Sequence, residues 1–500
     1  SNSSNTFTVT GVGTSEGGTA VSGVISSNTT WTLANSPYIV TDDILLNEGI
    51  TLTIEPGVTI KMLSDKEFQV KGELIAQGTS DSKITFTSNE SSPAAGDWGK
   101  LYFFDEATDA SFSGTTYTSG SILEYCIVEY GTELYIYNSS PFVHYSEFRY
   151  NSSNGIRVSG TGTYLWVNNC DIHHNQQGVQ VYASQSTALF SYNTIRDNTP
   201  NGGGEASSST FSYNTIKNNT VSGDGHRKGG GVKIDGTDFD HNLISGNSNS
   251  SSNMAAAGLY MYNGDDVTNN IIFNNTGAAY AVYIDRQGAN TFTHNIIVDG
   301  LTYIKQNELD GSYANNVFAG GLTGEIEFQN NNADFSKNTI LNSPGDGYYD
   351  QLRIYGDNNS LNQTVYFSNN LFSGNTSGYY LEHYTSGSGQ TYISTTQNNI
   401  INNDDGFYIK AGSGENSSVE NNWWGTTTES EIQAMVYDWN DDASLGFLDY
   451  DPYLTTPDTA APLSPPKNVI KQESGGNVVL SWAANPESDV AGYKVYYGAY

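Results

Sequence analysis

A nine-residue pattern that recurs along the chain limits its fold more than any other feature. The pattern begins with a large apolar residue. Two variable residues follow, the fourth position is usually Asn, and the sixth is Ile, Phe or Val. A second Asn often occupies the ninth position. Two clear copies run from Phe190 to Asn198 and from Phe211 to Asn219. Because repetition at a regular spacing is typical of solenoids, we expect each copy to belong to one coil of a stack.

The second apolar residue of each copy is an anchor from which the repeat length can be measured. Successive anchors are 20 to 32 residues apart. The anchors are Val128, Phe148, Ile172, Ile195, Ile216, Ile244, Ile272, Ile297, Phe318, Ile340, Phe372, Ile401 and Trp424. A second apolar pair, such as Val179 and Val181, alternates with polar residues upstream of most anchors, as in strands with one buried face. The pattern predicts an all-β parallel β-helix with several short strands in each coil.

One Asn lies two positions before most anchors. These residues are Asn193, Asn214, Asn242, Asn270, Asn295, Asn316, Asn338, Asn370, Asn399 and Asn422. At the strand spacing of about 4.8 Å, stacked side-chain amides can donate to and accept from the amides above and below. We predict a structural ladder inside a turn and not a ligand site, because inward amides are already satisfied.

The two cysteines follow the same repeat. Cys126 and Cys170 lie in the Asn column with Ser146 between them, so we expect them two coils apart, at roughly 9.6 Å. A disulfide requires Cα atoms within about 7 Å. We therefore predict two separate buried thiols.

Segments near both ends of the chain resemble a known group of proteins. The segments are Trp31–Val40, Leu52–Ile60, Gly72–Gly78, Gly96–Gly99, Asn421–Gly425 and Asp438–Tyr453. They are similar to the opening and closing parts of secreted bacterial right-handed β-helix repeat proteins of the pectin-lyase-like superfamily. The resemblance covers residues 20–454 and implies a right-handed β-helix that is secreted or displayed at the cell surface. That group includes lyases, hydrolases and surface proteins, so the resemblance leaves the activity open.

The last coil of a solenoid exposes its core and its strand edges, and both require a cap. Thr428 and Glu431 fit a capping box, and Ile432 begins a helical apolar spacing, so we expect a short amphipathic helix there. Trp423 and Trp424 are expected to plug the core beneath it.

Five Pro residues between positions 452 and 466 predict a stiff linker. Beyond it, Asn477–Trp482 and Asp489–Gly498 resemble the first half of a fibronectin type III domain, a β-sandwich of about 100 residues. We therefore expect the natural polypeptide to continue beyond Tyr500. The predicted parts are the N-terminal cap and first coils (1–120), the Asn-rich coils (121–425), the C-terminal cap with a short helix (426–454), the linker (455–465) and an incomplete fibronectin type III module (466–500).

The chain is strongly acidic, with 53 Asp and Glu against 20 Lys and Arg and a formal net charge of −33. Such an excess of negative charge repels phosphate backbones, which excludes nucleic acid as a partner. No apolar run approaches the roughly 18 residues of a membrane helix, and the chain opens without a basic and hydrophobic leader. We expect a mature extracellular product.

Positions between and just after the upstream apolar pairs are expected to face solvent. They carry Tyr and charged residues in coil after coil, which favours a sugar-binding flank, because aromatic rings pack on sugar faces while ions hold hydroxyl groups. The candidate ligand-binding residues are Tyr260, Tyr262, Tyr283, Asp285, Arg353, Tyr355 and Tyr408. A solvated strand face rich in Tyr is an equally good interpretation.

The sequence assigns no catalytic residue but contains secondary candidates. Two carboxylates in one column, two coils apart, approach the spacing of about 6.5–9.5 Å found in inverting glycosidases. A lyase instead needs cations to neutralise a uronate and a base to take its proton. The candidates are Asp235 and Asp285 for a hydrolase, and Lys233, Arg227, Lys228 and His226 near them for a lyase.

Calcium is the one cofactor that the acidic composition suggests. Asp438, Asn440 and Asp442 place oxygen donors at alternate positions, as calcium loops do, although they complete no known loop motif. The alternative interpretation is charge that keeps an extracellular protein soluble.

The sequence thus predicts an extracellular or cell-surface protein, such as an adhesin, that contacts polysaccharide or extracellular matrix through the Tyr and charged flank. The second hypothesis is a polysaccharide lyase or glycoside hydrolase that acts on acidic glycans. The third is a subunit of a self-assembling surface fibre, because open strand edges can join head to tail.

Overall fold

The structure is a computed structural model. It describes residues 8–10, 17–160, 164–183, 188–222, 227–251, 254–278, 280–285, 291–298, 300–305, 312–328, 334–343, 352–356, 363–376, 379–383, 391–403, 409–411, 416–464, 466–485, 490–493 and 495. The chain divides into two compact units, Ser1–Asp285 and Arg286–Tyr500.

The predicted parallel β-helix is confirmed, since the fold is all-β, right-handed and built of strands that pair in parallel from coil to coil. Each coil contributes strands to three faces. Strands of the first face carry the leading apolar residue of the repeated pattern, strands of the second face carry the anchor, and strands of the third face carry the upstream apolar pair.

In the first unit, the strands divide among the faces as follows. The first face contains Thr29–Trp31, Thr51–Ile54, Glu73–Gln77, Ile122–Glu124, Phe142–His144, Trp166–Asn168, Ala188–Ser191, Ser209–Ser212, Asp238–Asp240 and Asp266–Thr268. The second contains Thr59–Met62, Ile84–Ser88, Cys126–Glu129, Glu147–Arg149, Asp171–His173, Thr194–Arg196, Thr215–Lys217, Leu243–Ser245 and Ile271–Phe273. The third contains Phe68–Val70, Lys100–Phe103, Glu133–Tyr137, Asn154–Gly160, Gln177–Ala183, Gly204–Ser207, Val232–Asp235, Ala256–Met261 and Tyr280–Asp285.

Other elements of the first unit lie at its start or between coils. The long strands Thr19–Ile25 and Tyr38–Leu46 run across the second and third faces. The remaining elements are the strand Thr8–Thr10, the 3-10 turn Leu33–Asn35, the antiparallel hairpin Ser111–Ser113 with Thr116–Ser119, and the parallel pair Thr220–Val221 with Ser248–Asn249.

The second unit repeats the same three faces. Its first face contains Thr291–Thr293, Ser312–Ala314, Asp334–Ser336, Gln363–Ser368, Thr391–Thr396, Ser417–Ser418 and Leu448–Asp449. Its second contains Ile296–Val298, Val317–Phe318, Thr339–Leu341, Leu371–Ser373 and Asn399–Ile401. Its third contains Thr302–Lys305, Leu322–Phe328, Leu352–Gly356, Tyr379–His383, Ile409–Ala411 and Val436–Tyr437. A helix, Glu429–Ala434, and an antiparallel hairpin, Lys467–Ser474 with Asn477–Ala483, follow.

The Asn residues before the anchors stack in a column through hydrogen bonds. The backbone N and Nδ2 of Asn214 both donate to Oδ1 of Asn242, at 2.9 and 3.0 Å. Asn242 donates in the same way to Asn270, and its Nδ2 also reaches the carbonyl of Phe211 at 2.9 Å. In the second unit, the same bonds join Asn295, Asn316, Asn338, Asn370, Asn398 and Asn422.

One member of the predicted column is wrong by one position. Phe372 pairs with Ile400, and not with the predicted anchor Ile401. Asn398 is accordingly the residue whose Oδ1 accepts from Asn370, whereas the amide of Asn399 bonds to the backbone of Asp458. The repeated letters Asn-Asn-Ile-Ile allow both alignments, and only the pairing between coils distinguishes them.

A second ladder runs through the Asn that follows most anchors by three residues. Asn198 donates from its backbone N and from Nδ2 to Oδ1 of Asn219, at 3.0 and 2.9 Å. Its members in the first unit are Asn151, Asn175, Asn198, Asn219, Asn247 and Asn275. This Asn is part of the repeated sequence pattern. The spacing of the pattern does not show which groups its side chain bonds to.

The C-terminal cap contains the predicted helix but not the predicted capping box. Ile432 is buried on the helix, and Trp424 is buried in the core. The side chain of Thr428 makes no cap hydrogen bond, and its backbone N donates to the hydroxyl of Thr426, which in turn donates to the carboxylate of Glu431. Among the described residues, no helix has the length and apolar character needed to cross a membrane. The fibronectin type III module stays a prediction.

Both cysteines are free and buried, as predicted. The backbone N of Cys126 donates to Oγ of Ser146, and that of Cys170 donates to Oδ1 of Asn193, so the cysteines occupy the first ladder column. Burial raises the pKa of the Cys126 thiol, and it raises that of Cys170 to about 12. Each thiol therefore stays protonated near neutral pH.

Replacement of Asn242 by Ala should destabilise the first unit. The change leaves the backbone N–H of Asn214 and one of its two Nδ2–H groups without an acceptor, while the other Nδ2–H keeps the carbonyl of Phe190. At about 1–3 kcal/mol for each unsatisfied group, the free energy of unfolding should fall by at least about 2 kcal/mol. Chemical denaturation followed by circular dichroism measures the loss. Asn263→Ala, at an exposed turn position nearby, is the control, and equal midpoints for the two variants would contradict the structural role.

The thiols should be unreactive in the folded protein. A thiolate is the nucleophile, and burial keeps both groups protonated and shielded. We expect that the native protein does not react with an aromatic disulfide reagent in buffer at pH 8. After unfolding in guanidinium, two thiols per chain should react, which the absorbance of the released aromatic thiolate measures. Rapid labelling of the native protein would show that the coils around Cys126 and Cys170 open readily.

Candidate functional site

The predicted Tyr and charged flank has the expected register on the third face. Lys233 pairs with Tyr260, and Tyr260 pairs with Tyr283, so the three residues form one column. Their exposure differs from the prediction. Tyr260 has no exposed surface, Tyr283 is 3% exposed and Asp285 is 1% exposed. These three residues are therefore not available to a glycan, and their assignment as surface ligand-binding groups is wrong.

The buried residues of this flank form a hydrogen-bonded cluster. The hydroxyl of Tyr260 donates to Oδ2 of Asp285 at 2.5 Å, and the rings of Tyr260 and Tyr283 stack at 5.3 Å. Nε of Arg227 lies 3.8 Å from the same carboxylate oxygen. Burial, followed by the bond to Asp285, raises the pKa of Tyr260. An outward position is exposed only where nothing packs over it, and here the Arg227 side chain approaches Asp285.

The cluster also weakens the two catalytic hypotheses for this region. Asp285 is engaged by Tyr260 and approached by Arg227, so it cannot serve as one of two carboxylates that flank a glycosidic bond. Asp235 is half-buried and its pKa is raised by burial, while Lys233 lies 5.6 Å from the ring of Tyr262.

The structure gives little information about the remaining candidate residues. The carbonyl of Lys228 accepts from Nδ2 of Asn249, which holds the loop backbone. His226 and Tyr408 lie outside the described residues. Arg353 and Tyr355 belong to the strand Leu352–Gly356 of the second unit, but their side chains also lie outside the description.

The oxygen donors suggested for calcium are used within their own turn. Asp438 is buried, and its two carboxylate oxygens accept from the backbone N of Asn440 and of Leu448. Asp442 accepts from the backbone and the hydroxyl of Ser444, which lowers its pKa. Within the described ranges, no three His, Cys, Asp or Glu side chains are grouped to hold a metal ion. A calcium site therefore stays a prediction.

A groove on the first face of the first unit brings together aromatic and polar side chains. Its floor is made of outward-facing residues from four successive strands, because Glu124 pairs with Gln77 on one side and with His144 on the other, and His144 pairs with Asn168. A neighbouring column pairs Ile122, Phe142 and Trp166. The four polar residues span roughly 14 Å at about 4.8 Å for each strand spacing.

The hairpin Ser111–Ser119 forms one wall of the groove. Its Phe112 packs edge-on against Phe142, with ring centres 5.1 Å apart, and also contacts Trp166 at 5.4 Å. Tyr117 stacks near Phe142 at 6.1 Å. The hairpin rejoins the coil at Gly120, where φ is 95° and a side chain would overlap the carbonyl of Asp109, so Gly is required there.

Hydrogen bonds fix the polar side of the groove. Nε2 of Gln77 donates to Oε2 of Glu124 at 3.2 Å, and Nδ1 of His144 lies 3.4 Å from Oε1 of the same residue. Nε1 of Trp166 donates to Oγ of Ser191 at 3.0 Å, which fixes the indole. Gln77, Glu124, His144 and Trp166 border an open cavity of about 390 Å³.

Burial dominates the titration of the groove residues. It lowers the pKa of His144, and the nearby carboxylate of Glu124 opposes that effect without reversing it. The imidazole is therefore uncharged at neutral pH. Burial also raises the pKa of Tyr117 to about 12, with smaller contributions from Glu73 and Glu124. Tyr117 thus stays a neutral phenol.

The described lining of the groove carries one carboxylate, Glu124, and neither Lys nor Arg. Hydrolysis of a glycosidic bond uses two carboxylates, and a lyase needs a cation at the uronate carboxylate. The groove therefore offers aromatic surface and hydrogen-bonding groups, which suit binding better than either reaction.

The groove was not among the predicted sites, although its residues carry a recognisable signal. Phe142 and Trp166 are large aromatic residues at positions that alternate with the buried Val143 and Val167. An aromatic residue at an outward position in two adjacent coils is exposed to ligand or covered by an insertion. The stretch between Phe103 and Ile122, which lacks the repeated pattern, is that insertion and supplies the hairpin wall.

Comparisons with known proteins agree with the fold. Residues 77–248 match the family described as "Right handed beta helix region". A segment of 55 residues is 46% identical to Protein bark beetle of Drosophila melanogaster, and the match spans 11% of this chain and only 2% of that protein.

Two solved structures were also compared. The periplasmic alginate epimerase AlgG is 11% identical, with 75% of this chain and 85% of that chain covered and a TM-score of 0.29. An alginate lyase from Paenibacillus sp. str. FPU-7 is 14% identical, with 83% and 99% covered and a TM-score of 0.19. At these scores the likeness carries no argument about activity.

Replacement of Tyr260 by Phe should destabilise the first unit, because it removes a donor from the buried carboxylate of Asp285. A hydrogen bond to a charged group contributes about 1.5–3 kcal/mol, so we expect a loss of that order in the free energy of unfolding. Tyr182→Phe is a matched control, since Tyr182 also donates to a carboxylate, that of Glu205, but is 47% exposed. If both Phe variants changed the free energy of unfolding only slightly, Tyr260 would be as solvated as Tyr182.

Proposed function

We propose that this protein binds a glycan chain in the groove of the first unit. The observation that carries the proposal is the pair of partly exposed rings Tyr117 and Trp166, which pack on the buried Phe142, beside a row of hydrogen-bonding groups. Aromatic faces cover the apolar faces of sugar rings, while amides and carboxylates hold their hydroxyl groups. The groove replaces the buried part of the third-face flank as the contact surface.

The dimensions of the groove favour a short run of sugar units. Its polar row extends over four strands, from Gln77 to Asn168, and the cavity of about 390 Å³ lies within the usual range for ligand sites. Trp166 and Tyr117 are partly exposed, which leaves aromatic surface for a ligand to cover. Both side chains are already oriented by hydrogen bonds to Ser191 and Gly120, so little ordering is needed upon binding.

Binding without turnover is favoured over a lyase or a hydrolase because the described lining supplies neither a second carboxylate nor a cation. Placement of the protein outside the cell, a continuation into a complete fibronectin type III module and assembly into a fibre stay predictions. They concern where the groove is displayed and do not alter its chemistry.

Replacement of Trp166 by Ala should weaken glycan binding at least tenfold. The change removes the largest ring of the groove, and tenfold corresponds to about 1.4 kcal/mol of binding free energy. Calorimetry with soluble hexasaccharides of cellulose, xylan, mannan and chitin measures the affinity, and reducing-end and unsaturated-end assays test for turnover.

Trp439→Ala is the control, because that indole is 56% exposed and is not one of the residues that line the groove. Circular dichroism must show that both variants are folded, and Trp166→Phe should retain part of the affinity. Binding that is absent from the parent protein for every glycan, or equal in the two Ala variants, would refute the proposal.

A further inference from the structure

The charge of the groove comes from a single described residue. Glu124 is partly buried, with 24% of its side chain exposed, and its two oxygens face Gln77 and His144. Neither neighbour neutralises it, since Gln77 carries no charge and burial keeps the imidazole of His144 neutral. The described lining of the groove thus contains one carboxylate and no Lys or Arg to pair with it.

The surroundings of the groove add to this negative field. Glu73 accepts from the backbone N of Gly120 at the base of the hairpin wall, and Asp109 accepts from that of Ser140. The chain as a whole carries a formal charge of −33. Long-range and local fields thus have the same sign, so an anionic polymer is repelled both on approach and upon docking.

We infer that the groove selects polysaccharides without carboxylate groups and discriminates against uronate polymers. This inference rests on the proposed function and specifies its ligand. A neutral sugar brings hydroxyl groups that can donate to Glu124, and a hydrogen bond to an ionised acceptor is stronger than one between neutral groups. A uronate brings a carboxylate that meets Glu124 where the described lining has no Lys or Arg to pair with it.

The same geometry explains why uronates cannot simply reorient. The column of Ile122, Phe142 and Trp166 runs parallel to the polar column, and Trp166 is its partly exposed member. A sugar chain whose ring faces stack on Trp166 and Tyr117 lies beside the polar column that contains Glu124 and His144. The strand spacing repeats at about 4.8 Å along the groove. When a uronate polymer shifts along the groove, a different sugar unit lies at Glu124, but that unit also carries a carboxylate.

The test compares neutral and anionic probes of equal length on the full chain. We expect measurable binding of at least one of cellohexaose, xylohexaose and mannohexaose, and at least tenfold weaker binding of hexagalacturonate and hexaguluronate at low salt. Addition of salt should reduce the difference, because it screens repulsion at a partly exposed site. Equal or tighter binding of a uronate would overturn the inference while leaving the proposed function intact. Failure of all probes would overturn the proposed function itself.

A single substitution then assigns the discrimination to its residue. Glu124→Gln keeps the size and the hydrogen-bonding capacity of the side chain but removes its charge. It should reduce the ratio of uronate to neutral-sugar Kd at least fivefold. Glu48→Gln, an exposed position in the same unit, removes the same charge and should leave the ratio unchanged. If both variants reduced the Kd ratio equally, the net charge of the chain would select the glycan. If Glu124→Gln left the Kd ratio unchanged, Glu124 would not be the residue that discriminates.

Discussion

Hydrogen bonds between successive coils hold every other feature of this protein in place. Parallel strands satisfy their backbone groups only through the coil above and the coil below, and the Asn ladders extend that rule to the corners. The corner residue Tyr213 adopts a left-handed backbone, with φ of 58°, a conformation that is costly for a bulky residue. The adjacent Asn214 bonds to Asn242 and to the carbonyl of Phe190, which holds the turn in that conformation.

Rigid stacking makes each outward position part of a column, and a column becomes a site only through what covers it. On the third face, Tyr260 and Asp285 are buried and share a hydrogen bond, and Arg227 approaches the same carboxylate. On the first face, the hairpin lies beside Phe142 and Trp166 and leaves a cavity. The same strand geometry thus produces an internal cluster in one place and a groove in another.

The proposed function gives a strongly acidic chain a way to bind a polymer. In that proposal the aromatic surface of the groove provides affinity that does not depend on charge, and Glu124 favours hydroxyl donors over carboxylates. The buried Tyr260 cluster, by contrast, contributes to the stability of the coils and is closed to a polymer.

The sequence alone determined the β-helix, most of its register and the free state of both cysteines, because these follow from a period that is written directly in the spacing of apolar and Asn residues. It failed at Asn399, where two adjacent Asn residues fit the period equally well and only pairing with Asn370 identifies Asn398. Only the tertiary structure decided that Tyr260, Tyr283 and Asp285 are buried and that Glu124, His144 and Trp166 line a groove. The physical reason is that periodicity specifies the direction of a side chain, whereas exposure depends on segments outside the repeat that pack over it.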